Sequence, residues 1–227
     1  MGTLSVATYN IQRGRGIDLA RRFERTARVV EALEADVIGL QEVVREPWGP
    51  RGDQPGELGR RAHAEAIFLP ARPHGSGAFG CALLTRLPVE EVTAIDLSVS
   101  GREPRKALCA RLRAGASRVH VVVCHLGLGP NERRSQVTML RAHLRRLDGT
   151  RVVMGDFNEP RRGAVTRALD AELGPAPIVV THPAPLPLLP LDRVWCDAGV
   201  RELFAHRAPP ARVASDHLPL VARVALH

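Results

Sequence analysis

The apolar run Arg151-Val152-Val153-Met154 gives way at once to Gly155-Asp156-Phe157-Asn158. The run reads as a short strand, and a carboxylate and an amide stand directly at its end. The same change of character recurs along the chain. Strand-like runs stop at Tyr9-Asn10, at Gln41-Glu42 after Asp36-Val37-Ile38-Gly39-Leu40, at Cys124-His125, and around Ser215-Asp216-His217. Taken singly, each has a plain reading: an Asn after a strand forms turns, a lone Glu is solvated, and Asp-Phe-Asn caps a helix begun by Pro160. Five such endings together are what a scaffold-held site requires, with side chains fixed by a sheet and open to substrate at its edge.

Outward from that stretch, strands and helices alternate in groups. Val6 to Tyr9 opens as a strand, and Phe23, Ala27, Val30 and Leu33 recur at helical spacing on a charged background, which predicts an amphipathic helix. Residues 45–63 are rich in Gly, Pro and charge and read as a long loop, with a short strand at Ala66 to Leu69. Runs at 80–85, 89–97, 107–112 and 119–124 follow one another as strands, which suggests antiparallel pairing. Val137, Leu140, Leu144 and Leu147 mark one face of a helix over 132–147, and 162–172 is a shorter one. The proline-dense segment 174–190 excludes regular structure, and strands at 191–196 and 218–224 close the chain. Grouped strands with helices between them predict an α+β or mixed-sheet layered sandwich.

Composition narrows the class. The 227 residues are 44% hydrophobic and 25% charged, as in an ordinary globular chain, and one domain over 1–227 is expected. Four cysteines, none in a C-x-x-C pair, write neither a thiol redox motif nor a tetrathiolate zinc site. No apolar run is long enough to cross a bilayer and the first residues lack a leader pattern, so a cytoplasmic monomer is expected. The net charge of +8 favours a polyanionic partner, although the arginines that carry it are spread along the chain.

The polar endings suit phosphoester chemistry. A hard divalent ion takes oxygen ligands, which Glu42, Asp216 and the amide of Asn10 supply, and sulfur is absent from every motif. Hydrolysis also needs an oriented water and stabilisation of phosphoryl charge. Asp156 and Asn158, two apart on an extended segment, would face one side and hold a water between them. His125 and His217 can hydrogen-bond phosphate oxygens, and Asp192 can fix a histidine tautomer. His120 stands five residues before His125 on one strand and so faces the other side. Cys124 reads as a buried apolar residue. His63, His74, His143, His182, His206 and His227 have no partner spacing and read as surface or loop residues.

Thr8-Tyr9-Asn10-Ile11, Leu40-Gln41-Glu42-Val43, His125-Leu126-Gly127, Gly155-Asp156-Phe157-Asn158, Leu191-Asp192-Arg193-Val194 and Ser215-Asp216-His217-Leu218-Pro219 resemble, in order, the motifs of the endonuclease/exonuclease/phosphatase superfamily, the DNase I-like fold. The resemblance covers residues 3–224. It implies a four-layered α/β/β/α sandwich with two mixed β-sheets and a Mg²⁺ site, with Mn²⁺ a substitute, at one end of the sheets. It further implies Glu42 as principal metal ligand supported by Asn10 and Asp216, Asp156 and Asn158 positioning the nucleophile, Asp192 paired with His217, and His125 on the scissile phosphate. Gln12 departs from the apurinic-site branch, which carries a carboxylate there and a tyrosine where His125 stands. The histidine motif is more similar to the DNase I, sphingomyelinase and inositol-phosphatase branches. The implied activity is a Mg²⁺-dependent phosphodiesterase, with nucleic acid favoured on net charge. Phospholipid headgroup esters and phosphomonoesters are the alternatives, and a non-catalytic nucleic-acid-binding module is the competing class.

Overall fold

The computed structural model describes residues 2–47 and 52–227. The chain begins with strand β1 (Thr3–Asn10), helix α1 (Phe23–Ala32) and strand β2 (Val37–Arg45). Helix α2 (Gln54–Arg61) and strands β3 (Glu65–His74), β4 (Gly77–Thr85), β5 (Val89–Asp96), β6 (Lys106–Ala114) and β7 (Ser117–His125) follow. Then come α3 (Pro130–Leu144), β8 (Thr150–Asp156), α4 (Ala164–Leu173), β9 (Asp192–Cys196), β10 (Val200–Ala205), the single turn α5 (Ala211–Ala214) and β11 (Leu220–Ala225).

The strands form two mixed sheets, ordered β10-β11-β1-β2-β4-β3 and β5-β6-β7-β8-β9. Each contains one parallel pair, β1 with β2 and β7 with β8. In both pairs a helix lies between the strands in sequence, as a parallel crossover requires. Three apolar layers hold the sandwich together. Ala7, Ile38, Leu40 and Leu84 on the outer face of the first sheet pack against Ala27 and Val30 of α1 and Leu58 of α2. Val6, Val37 and Leu83 on its inner face meet Leu108, Val121, Val123, Met154 and Val194 of the second sheet. Val122, Cys124, Val153 and Trp195 on the far face carry Val137 and Leu140 of α3 and Leu169 of α4. The period-2 alternation of each strand thus serves two layers at once. At Gly39 the sheets come closest: a Cβ there would lie 2.8 Å from Val123 Cγ2 and 2.9 Å from Met154 Cε.

Four expectations are corrected. Residues 45–63 are not one loop, because Asp53 and Pro55 start α2, whose Leu58 is buried against the sheet; residues 48–51 of that stretch lie outside the described residues. The short strand at 66–69 is a ten-residue strand bent by a bulge between Pro70 and Arg72, and proline is tolerated there because β3 is an edge. The consecutive strands do not all pair in order: β4 belongs to the first sheet and β5 to the second, so the turn at Arg86–Pro88 passes the chain from one to the other. Strand β10, exposed at Arg201, Glu202 and Phe204 and with its pairing shifted between Val200 and Glu202 so that no clean alternation marks it, pairs with β11.

Candidate active site

The site occupies the end of the inter-sheet layer, where inward-facing positions turn from apolar to polar. On β1 the inward series Leu4, Val6, Thr8 ends in Asn10; on β7, Val119, Val121, Val123 ends in His125; on β8, Val152, Met154 ends in Asp156; and Asp192 opens β9 in register with Val194 and Cys196. Asp156 pairs directly with His125 on one side and Asp192 on the other. Strand parity therefore delivers four functional groups to one place. Tyr9, one residue out of phase, points into the helix-facing layer instead, where burial pushes its phenol up.

Glu42 reaches the site by a bulge. Gln41 and Glu42 together face Cys81 of β4, and Glu42 takes a left-handed φ of 56°, which keeps both side chains on the inner side while Val43 returns to the helix layer. Burial pushes its carboxyl up, opposed by Arg13, whose Nε lies 3.5 Å from Oε2, and reinforced by the charge of Asp216. Gly155 has φ 149° and no room for a Cβ, which would collide with the Cys124 carbonyl, so only glycine lets β8 end beside β7.

Asp156 is the hub. Its Oδ2 accepts a hydrogen bond from Asn10 Nδ2 at 3.0 Å and lies 3.6 Å from His125 Nε2 and 3.7 Å from His217 Nε2, while Oδ1 accepts the Asn158 N–H at 2.9 Å. Asn158 is not on an extended segment, as the sequence suggested. Its φ of 51° turns it back, and Nδ2 donates to the Leu126 carbonyl at 2.9 Å, tying the end of β8 to the loop after β7. That loop is braced by α3: Gln136 Oε1 accepts the Gly127 N–H at 2.8 Å and Arg133 Nη1 donates to the Gly127 carbonyl at 3.2 Å.

The two rings are held in opposite charge states. Arg105 Nη1 lies 3.0 Å from His125 Nδ1, and because a guanidinium only donates, Nδ1 is the acceptor and the ring proton sits on Nε2. Burial, with the Arg105 charge beside it, holds His125 down to about 3, even against Asp156. His217 Nδ1 faces Asp192 Oδ2 at 2.8 Å, and that oxygen also accepts Thr181 Oγ1 at 2.5 Å. Burial works against charge on His217, but Asp192 and Asp156 outweigh it and raise the ring to about 10. Both rings therefore present an Nε2–H to the same carboxylate oxygen.

Asp216 is placed by the preceding serine, since Ser215 Oγ donates to the Asn10 carbonyl at 2.7 Å. Gln12 Nε2 donates to Asp216 Oδ2 at 3.1 Å, and Gln12 Oε1 is buried without a hydrogen bond. Every predicted site residue lies in this one region: Asn10, Glu42, His125, Asp156, Asn158, Asp216 and His217 line a cleft of about 410 Å³, and Asp192 stands behind His217. Three groups come from outside the motifs. His182, read as a loop residue, packs its ring 4.8 Å from that of His217 with Nε2 3.9 Å from Asp216. Burial, then the charge of His217, pushes His182 down. Arg105 and Gln12 are the others. The His182, Asp216 and His217 donor atoms, and those of Asp156, Asp192 and His217, also converge, but His217 protonated on both nitrogens has no lone pair to offer a cation.

The chain matches the profile of the Endonuclease/Exonuclease/phosphatase family over residues 7–217. It belongs to that family. The Escherichia coli (strain K12) protein YbhP is 31% identical, over 99% of this chain and 97% of its own. A family structure from Beutenbergia cavernae superposes with a TM-score of 0.79 at 22% identity, over 100% of this chain and 72% of that one. The human Nocturnin catalytic domain, solved with a bound sulfate anion, superposes at 0.76 and 20% identity over 99% and 95%. The α+β sandwich with two mixed sheets is thus the fold of the family, whose members are in general phosphoester hydrolases. The family generally uses a divalent metal, and the oxygen-rich donor set here fits one: Glu42 is a half-buried carboxylate in the cleft wall without a full counter-charge, and Gln12 Oε1 is an acceptor with nothing donating to it.

Proposed function

We propose that this chain is a Mg²⁺-dependent phosphodiesterase, with Mn²⁺ able to substitute. The observation that carries the reading is the convergence of one acceptor and two ring donors: Asp156 Oδ2, with His125 and His217 Nε2 each 3.6–3.7 Å away. That gap is too long for direct hydrogen bonds and leaves the carboxylate oxygen and both Nε2–H groups free to engage oxygens of a substrate and water lying over them. Glu42, Asn10 and Asp216 would hold the metal, which when bound supplies charge neutralisation at the phosphoryl and leaving oxygens.

The residues divide the remaining work. Asp156, oriented by Asn10 and the Asn158 N–H, accepts the proton of the attacking water. His125, neutral with its proton on Nε2, donates to a phosphoryl oxygen without changing charge. His217, charged and oriented by Asp192, donates to a second oxygen and offsets the charge of the pentavalent transition state. A binding module has no use for a buried charge relay of this kind, which disfavours that alternative.

Net charge supported nucleic acid, but the arginines are largely engaged with acids: Arg25 with Asp18, Arg61 with Glu24 and Glu57, Arg111 and Arg113 with Glu90, Arg141 and Arg145 with Glu172, Arg151 with Asp197. These pairs are already subtracted in the net charge of +8, so the excess rests on the remaining arginines and by itself does not favour nucleic acid over another polyanionic surface. The test is hydrolysis of bis(p-nitrophenyl) phosphate against Mg²⁺ concentration. Activity should require the metal, and Asp156→Asn should lower kcat by roughly 10³-fold or more. Undiminished hydrolysis in EDTA would refute the metal reading.

A further inference from the structure

The rim of the cleft is built from residues that a water-facing enzyme edge does not need. Eleven large apolar side chains are exposed among the described residues, and seven of them stand on loops or the single-turn helix α5 at this one edge of the sandwich. Leu128, 77% exposed, follows β7 and lines the cleft itself. Leu186 and Leu188, 67% and 65% exposed, and Leu189 stand on the loop before β9. On the same side, where Ala184 of that loop packs with Ala211 and Ala214 of α5, Ile17 and Leu19 belong to the loop after β1 and Val213 to α5. Scattered single apolar side chains on a surface are ordinary, but six on neighbouring segments beside the cleft, with Leu128 in its wall, mark an interaction surface.

These loops are held in shape. The His182 carbonyl accepts the N–H groups of Leu188 at 2.9 Å and Leu189 at 2.8 Å, which closes residues 182–189 into a compact loop. Ala184 N–H donates to the Asp216 carbonyl at 2.7 Å, so the loop that displays the leucines is anchored on a site residue, and its His182 faces the cleft. Beside that loop, Ile17 N–H donates to the Val213 carbonyl at 3.3 Å, joining the loop after β1 to α5. The leucines are thus displayed by hydrogen-bonded backbone and stand exposed among the described residues.

The same edge carries cations without partners. Arg161 follows Asn158, and Arg207 and Arg212 precede Ser215; all three are exposed, and none forms an ion pair among the described residues, unlike most arginines elsewhere. The loops 126–129 and 182–190 contain no carboxylate. Apolar tips that enter an acyl boundary, interspersed with arginines that remain at the headgroup level, are the composition of an interfacial anionic-membrane surface. A nucleic-acid groove would instead place arginines and stacking aromatics there, and among the described residues Phe79 is the only aromatic ring other than histidine in the cleft wall.

We infer that this rim docks on the surface of an anionic phospholipid bilayer and presents lipid-headgroup phosphoesters to the cleft. The inference names the substrate class of the hydrolase proposed above and rests on that reading. Docking, however, can be measured without turnover. The experiment is co-sedimentation with vesicles of phosphatidylglycerol and phosphatidylcholine in equal parts, and with phosphatidylcholine alone, in EDTA. The native protein should sediment with the anionic vesicles and much less with the neutral ones. L186E/L188E, at exposed positions where the fold tolerates charge, should keep its Tm and lose vesicle affinity by about tenfold or more. D156N should bind vesicles like the native protein while losing turnover, which separates docking from catalysis. Equal binding of native and L186E/L188E would overturn the inference. So would native protein that ignores anionic vesicles but binds single-stranded or duplex DNA with a steep salt dependence.

Discussion

Asp192 never faces the cleft, yet the charge of His217 depends on it. With Asp192 and Asp156 beside it the ring stays protonated up to about 10, so at neutral pH it acts as a fixed cation with its Nε2–H aimed at the cleft. Asp192→Asn removes the larger of the two opposing charges, leaves burial to favour the neutral ring, and frees the ring to change tautomer. On the proposed mechanism kcat should fall by roughly 10²–10⁴-fold. The pH profile gives the sign: the variant should lose activity as pH rises through the neutral range while the native enzyme holds, since the raised native value keeps the proton on. An unchanged rate and profile would reduce Asp192 to a turn residue ahead of Arg193. Residues of this kind are legible in the sequence because strand parity does not depend on tertiary detail. His125 and Asp156 end alternating runs, and His120 falls on the opposite face by counting alone. His182 is not legible, because only the folding back of the proline-dense segment brings it to His217, and no local pattern foretells that. Arg105 and Gln12 are hidden for the same reason: each acts through a partner 20 or more residues away.

Helix α4 shows how an element serves the site without entering it. No side chain at Gly163 caps it; Glu159, just after Asn158, reaches over instead. Its carboxylate accepts the N–H groups of Gly163 at 3.1 Å, Val165 at 3.0 Å and Thr166 at 2.9 Å, and the Thr166 hydroxyl at 2.6 Å. These are the orphan donors of a helix start, where a negative charge is also favoured by the dipole. Burial alone would raise the carboxyl, but the four donors prevail and hold Glu159 below its ordinary value. The stabilisation is therefore present above the unfolded Glu value of about 4.3 and is lost as pH falls through the lower folded value. Glu159→Gln should cost about 1–2 kcal/mol, measured by urea unfolding at neutral pH, and the gap between variant and native should narrow in acid. A gap that widens in acid would contradict the cap. Element types are readable where periodicity is strong, as in α1 and α3. α2 is not, since its eight residues include Pro55, Gly56 and Gly59 and look like turn material until Leu58 is seen buried in the helix layer.

At the scale of the molecule, two sheets that are dry over most of their facing area end in a cluster of acids. Glu42, Asp156, Asp192 and Asp216 converge on one edge, and Arg13 and His217 only partly offset them. Such an arrangement costs stability in the metal-free chain, because Glu42 is a half-buried carboxylate whose folded value is raised. Above its ordinary range it opposes folding, and the penalty grows as pH rises through the folded value. Glu42→Gln keeps the shape and removes the charge. In EDTA at neutral pH it should melt above the native protein. Mg²⁺ should reverse the order: at a hundredfold excess over Kd, binding to the folded native chain adds about 2.7 kcal/mol, a rise of roughly 5–10 °C for a chain of this size, while the variant gains little. Two melting curves for each protein, with EDTA and with Mg²⁺, decide it. A Glu42→Gln protein that melts below the native chain in EDTA, or that gains as much from Mg²⁺, would remove Glu42 from the metal site and leave its left-handed bulge as a feature of the sheet alone.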